Sequence, residues 1–224
     1  MNNFWRKRTF LLIAICLLFP LSGSSQESNA TMQFYLDNAS YVFNQNYLFN
    51  STASFSFELR SIYHETDYRG EIKKIDTAVY LFHFADGKLD SMNVIDSTSM
   101  DKNTPPDSSM PFLPWNDSLN FYFYPNDTGA GRLAVGFESP VEDSIRARSG
   151  FMNINREDFS LETVFLHRRD EEGINRQSFD YYFERVDNVI RPTRFETYSL
   201  KIAILGRQYT RHIYEFFDYK LETR

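Results

Sequence analysis

The residues best suited to acid–base or metal chemistry in this chain are four histidines, His64, His83, His167 and His212. No two of them form H-x-x-x-H, the spacing that aims two imidazoles from one helical face at zinc. The single cysteine, Cys16, sits in an apolar N-terminal run and reads as part of an export segment. His64-Glu65-Thr66-Asp67 reads as a solvated strand end. His83 falls on the strand face opposite Phe82 and Phe84. No G-x-S-x-G nucleophile elbow occurs. Gly129-Ala130-Gly131 lies between two expected strands with no helix after it, so it reads as a hairpin turn and not as a phosphate cradle. The chain holds 30 Asp and Glu residues. Carboxylate pairs are therefore easy to assemble and do not single out a glycosidase. Arg168-Arg169-Asp170-Glu171-Glu172 reads as a solvated turn with self-pairing charges. The sequence thus predicts no catalytic residue, no metal ligand and no cofactor, and is read as a binding protein and not an enzyme.

What recurs is aromatic alternation. Phe55, Phe57 and Leu59 alternate with Ser56, Glu58 and Arg60. The same period appears in Leu119-Phe121-Phe123, Leu133-Val135-Phe137, Phe179-Tyr181-Phe183 and Phe217-Tyr219-Leu221. A period of two puts one set on one face of a sheet and the other set opposite. Many such strands predict a large antiparallel sheet with one apolar face. Phe55, Phe57, Leu59, Phe121, Phe123, Leu133, Val135, Phe137, Phe179, Tyr181 and Phe183 are expected to face the helix and interior. Glu58, Arg60, Arg132, Glu138, Asp180 and Glu184 are expected to face water.

The N-terminus carries a basic group, Arg6-Lys7-Arg8, then an apolar stretch from Phe10 to Leu21, then Ser22-Gly23-Ser24-Ser25. This order predicts a signal peptide over 1–25, cleaved just before Gln26. The apolar stretch, about 12 residues, is short of the ~20 that span a bilayer. Residues 26–224 are then one domain without cysteine, so no disulfide supports it. Formal charge is −6. Loss of the export segment removes three basic residues and no acidic one. An acidic surface argues against nucleic acid as partner.

Met32, Tyr35, Leu36, Ala39, Val42 and Phe43 fall at helical spacing, which predicts one amphipathic helix over 29–46. Strands are expected from 51 to 64, 71 to 84 and 88 to 96, with a tight turn at Asp86-Gly87. A proline-rich loop spans 97–118, with a short helical turn around Phe112-Leu113. Further strands follow at 119–124, 132–138, 150–155, 159–168, 177–186, 189–198, 200–205 and 208–221.

The second half has a recognisable order. Leu133-Ala134-Val135-Gly136-Phe137-Glu138-Ser139-Pro140 is a strand ending in Phe-x-x-Pro. Gly150-Phe151-Met152-Asn153-Ile154-Asn155 ends in a polar turn. A strand carrying His167-Arg168 follows, then one ending in Val186-Asp187-Asn188. Pro192-Thr193 opens the next, and the chain closes on Phe217-x-Tyr219. This order resembles periplasmic lipoprotein carriers and outer-membrane lipoprotein-sorting proteins of the LolA/LolB-like superfamily. The N-terminal helix fits the same pattern. The carriers use several helices as plug and lid, where this chain shows one, and no carrier site residue matches a position here. The resemblance implies an unclosed, curved antiparallel β half-barrel wrapped around the N-terminal helix, with an apolar cavity for acyl chains.

The expected function is a periplasmic lipid or lipoprotein carrier, monomeric and not integral to the membrane, with acyl chains as ligand and an envelope protein as a further partner. Mid-strand aromatics on the concave face are the candidate ligand contacts: Phe57, Phe121, Phe137 and Phe183. The alternative is an exported envelope adaptor whose sheet interior is fully packed and holds no ligand.

Overall fold

The computed structural model describes residues 23–98, 112–123, 131–140, 148–169, 176–203 and 206–222. Residues 1–22 of the expected export segment, most of the 97–118 loop and the turns at 125–129 and 170–173 lie outside these residues.

Helix α1 covers Gly23–Asn46. Its start lies three residues before the expected cleavage point. The stripe read from the sequence is its buried face: Met32, Leu36, Ala39 and Phe43 are each at most 7% exposed. A 3-10 turn follows at Leu48–Asn50.

Ten strands come next: β1 (Phe55–Thr66), β2 (Ile72–Ala85), β3 (Lys88–Ser97), β4 (Asn120–Phe123), β5 (Arg132–Glu138), β6 (Arg148–Asn155), β7 (Leu161–Arg169), β8 (Arg176–Val186), β9 (Val189–Ala203) and β10 (Gly206–Leu221). They form one antiparallel sheet in the order β3-β2-β1-β10-β9-β8-β7-β6-β5-β4. The sheet is a meander except for one long-range pairing, β1 with β10, which sets Ile62 beside Ile213. Among the described residues β3 and β4 are the two edges of the sheet, so this is an unclosed, curved half-barrel. The segments expected at 189–198 and 200–205 are a single strand, β9. Leu200 pairs with Tyr209 on one side and Arg176 on the other, so the ladder runs through Ser199 without a break.

Turn chemistry decides the hairpins. Asp86-Gly87 and Asp187-Asn188 have positive φ at both central residues, the conformation that matches strand twist in a two-residue turn. Pro114–Asn116 is a 3-10 turn, just after the helical turn expected at 112–113.

Two glycines are required by close approach. A Cβ on Gly136 would lie 2.3 Å from Tyr122 Cε2, and one on Gly150 would meet the Phe165 carbonyl oxygen and lie 2.7 Å from Phe137 Cζ. Each aromatic ring thus covers a cross-strand glycine. Gly150→Ala is expected to cost about 3 kcal/mol, because the obstacle is backbone and cannot rotate away. Gly70→Ala meets nothing within 4 Å at φ +84° and is expected to cost about 1 kcal/mol from backbone strain alone. Paired urea melts check the difference.

Candidate functional site

The helix-facing surface of the sheet holds two dry clusters. In the first, α1 packs on Leu133, Val135 and Phe137 of β5, Met152 and Ile154 of β6, Val164 and Leu166 of β7 and Phe183 of β8. In the second, Leu48 of the 3-10 turn packs on Phe55, Phe57 and Leu59 of β1, Tyr80 and Phe82 of β2, and Tyr214 and Phe216 of β10. The helix belongs to the first cluster only.

The four candidate ligand contacts divide between these clusters. Phe57 is fully buried, with Phe82 stacked on it at 5.1 Å. Phe137 is fully buried against Phe112 at 6.0 Å. Phe183 is 7% exposed and meets Phe43 of α1 edge-on at 5.4 Å. Phe121 is partly buried at the margin of the helix cluster. They are walls, not one constellation.

Between the clusters runs a seam of half-buried aromatics. Phe179 and Tyr181 of β8 border the helix cluster, and Phe195 of β9 borders the other. Their rings stack in parallel: Tyr181 on Phe195 at 4.6 Å, Phe179 on Phe195 at 6.5 Å, and Phe195 on Tyr214 at 5.7 Å. Phe179 and Tyr181 were legible from alternation as interior residues. Phe195 was not singled out, although Arg194-Phe195-Glu196 alternates in the same way.

The seam has a cover on one side. Leu113 is buried in the helix cluster, and Phe112, Trp115 and Leu119 pack against it. Phe112 is tied to the sheet by a hydrogen bond between its backbone and the Tyr181 hydroxyl. Arg148 pairs with Asp117 and lies 5.5 Å from the Phe112 ring. Arg168 lies over Phe179 at 4.7 Å and donates to Gln177 at 2.8 Å. Moving along β6, β7 and β8, the surface therefore passes from Met152, Val164 and Tyr181 to Arg148, Arg168 and Gln177. This gradient from apolar to polar suits an amphiphile.

A cleft of about 770 Å³ lies at the same strand ends but mostly on the opposite face, where Ser149, His167, Arg176, Ser178, Tyr198 and Leu200 line it. A second cleft of about 420 Å³ lies between Arg132, Asp158, Glu162 and Arg185. Its charges pair with each other: Arg185 lies 3.1 Å from Asp158.

On the opposite face the expected outward set is only partly in water. Arg60, Arg132, Glu138 and Glu184 are exposed, while Glu58 and Asp180 are half-buried. Glu196, on the same face, is 3% exposed. It lies 2.6 Å from Arg194 and 2.7 Å from Arg211, and accepts from the Tyr198 hydroxyl at 2.7 Å. Burial alone would raise the Glu196 carboxyl. Tyr198 and the two guanidinium groups outweigh burial and hold it below the usual range. Burial and the Glu196 charge push Asp180 up. Phe123 of the inward set is 36% exposed because, among the described residues, β4 is an edge of the sheet.

The histidines are spread over β1, β2, β7 and β10. Among the described residues no three His, Cys, Asp or Glu side chains converge as metal ligands. No described helix is long and apolar enough to cross a membrane.

No protein-family model matches the sequence, and no curated protein matches it. Solved structures similar to the chain include a DUF1329 family protein from Desulfovibrio piger, at 11% identity and a TM-score of 0.40 over 85% of this chain and 93% of that one. An outer membrane lipoprotein-sorting protein domain from Vibrio parahaemolyticus matches at 11% identity and a TM-score of 0.35, over 84% of this chain and 92% of that one. MucB in complex with MucA(peri) matches at 11% identity and a TM-score of 0.24, over 86% and 99%. At such scores the likeness carries no argument.

Proposed function

We propose that this chain is an exported envelope protein that carries amphiphiles, with an alkyl chain lying along the Phe179–Tyr181–Phe195 seam. The observation that supports this reading is the seam itself. Three stacked aromatics stay half-buried between two clusters that are dry. An alkyl chain laid on them would finish burying that surface, at about 0.8 kcal/mol per CH₂. Phe183 and the partly buried Phe121 would flank the chain where it runs toward α1, while Phe137 and Phe57, fully buried, would stand behind the seam as packed walls. Arg148 and Arg168 stand at the polar end. The periplasm is the proposed location, reached through residues 1–25.

The packed-adaptor reading has its own support in the full burial of Phe57 and Phe137. Titration of delipidated protein with 1-N-phenylnaphthylamine separates the two. The carrier reading expects saturable fluorescence enhancement at micromolar probe, displaced by oleate. A flat titration leaves the packed adaptor.

A further inference from the structure

On the β10, β1 and β2 side, the helix-facing surface also turns polar beyond its aromatics. Tyr63 pairs with His212 on one side and Asp76 on the other, and Ser61 pairs with Tyr214 and Ala78. Ser61 is 1% exposed and Asp76 3%, as deep as the core. Yet Ser61 Oγ and His212 Nε2 have no hydrogen-bond partner among the described residues. Such orphaned buried atoms are uncommon, because their lost hydration goes uncompensated. Their neighbours are engaged. Tyr63 donates to Glu65 at 3.1 Å, Lys74 lies 2.6 Å from Asp76, and the Tyr214 hydroxyl faces His212 Nδ1 at 3.3 Å. The two orphans are versatile: a hydroxyl donates and accepts, and an imidazole nitrogen does either according to tautomer. As diagonal cross-strand neighbours their backbones stand about 7 Å apart, near enough for one small hydroxylated group to meet both side chains.

We propose that Ser61 and His212 bind the hydroxyl groups of an uncharged amphiphile, of the acylglycerol class, whose alkyl chain lies on the adjoining Tyr214–Phe195 stack. This rests on the carrier reading and names the head group of its ligand. An anionic head is disfavoured. Lys74 is taken by Asp76 and Lys73 lies 3.9 Å from Glu65, so each nearby lysine already has its carboxylate, and burial disfavours protonation of His212.

The test is displacement of bound 1-N-phenylnaphthylamine from the purified exported protein by three ligands of one chain length: 1-monooleoylglycerol, methyl oleate and oleate. The expected result is that monooleoylglycerol acts at about tenfold lower concentration than methyl oleate, the effect of one or two added hydrogen bonds. Oleate should show no such advantage. In Ser61→Ala with His212→Phe the preference should shrink to about twofold while the probe still binds, because the apolar seam is intact. Equal displacement by monooleoylglycerol and methyl oleate, or a preference for oleate, overturns the proposal and leaves the carrier reading standing. A preference that survives in the double variant overturns it too. Probe that never binds removes the carrier reading and this proposal with it. The wild-type comparison needs no variant, so it decides the matter even if the substitutions impair folding.

Discussion

Alanine at Phe57 or Phe137 is expected to lower stability by about 3–5 kcal/mol, the cost of emptying a ring's volume from a sealed core. For a domain of this size that is a fall in melting temperature of roughly 10 °C. Both side chains are fully buried, and each is enclosed by other rings: Phe82, Phe84, Phe216 and Tyr219 around Phe57, and Phe112 against Phe137. Rings held this way do not collapse into the vacated space. Alanine at Phe179 or Phe195 is expected to cost only about 1 kcal/mol, because these rings are half-buried and lose fewer contacts. The ligand effect should run the other way. Phe195→Ala removes the central ring of the stack and is expected to weaken phenylnaphthylamine binding at least tenfold. Urea melts and probe titrations on the four variants make the comparison. Equal destabilisation at all four positions, with no loss of probe binding at Phe195, would assign the seam to ordinary core.

The other large effect is expected on the opposite face. Glu196 is held by two arginines and a tyrosine hydroxyl. Glu196→Leu breaks a buried ion pair and leaves two guanidinium groups without their carboxylate. The expected cost is about 3 kcal/mol, the low end for such a loss, because both arginine side chains keep more than a third of their surface in water. The pH dependence follows from the sign of the shift. The folded carboxyl lies below its usual value, so its stabilisation is fully present above the unfolded value of about 4.3. It fades as pH falls through the depressed folded value. Asp180 acts in the opposite sense. Its raised carboxyl disfavours the folded state once ionised, and that penalty is relieved on acidification. Glu196→Gln should therefore flatten the acid limb of the stability curve and leave the limb above pH 7 unchanged. Thermal melts between pH 3 and 8 check this, and an acid limb as steep as in wild type would count against the ion-pair account.

Local sequence determined a good deal of this protein. The stripe of Met32, Leu36, Ala39 and Phe43 fixed a helix and its buried face, because a period near 3.6 has one way to lie on a sheet. Asp86-Gly87 and Asp187-Asn188 fixed two hairpins, because few residues adopt left-handed backbone. Alternation fixed the inward side of β1, β5 and β8 but not the end of β10, where left-handed Asp218 lets Phe216 and Tyr219 both pack inward and leaves Phe217 beneath Arg60 on the other face. Alternation specifies a face, however, and says nothing of depth. Phe57 and Phe195 belong to equally regular strands, yet one is sealed and the other half-open. The difference comes from β1 pairing with β10 across the length of the chain, and from α1 covering only the β5–β8 half. The same limit hid the polar groups. Glu196 carries a charge on the outward side and reads as solvated, but Arg211, from the neighbouring strand, closes over it. Ser61 and His212 lie about 150 residues apart in sequence and become neighbours only when the first and last strands meet. Which side chains are sealed, half-open or orphaned was decided by contacts between distant strands, and these leave no periodic mark in the sequence.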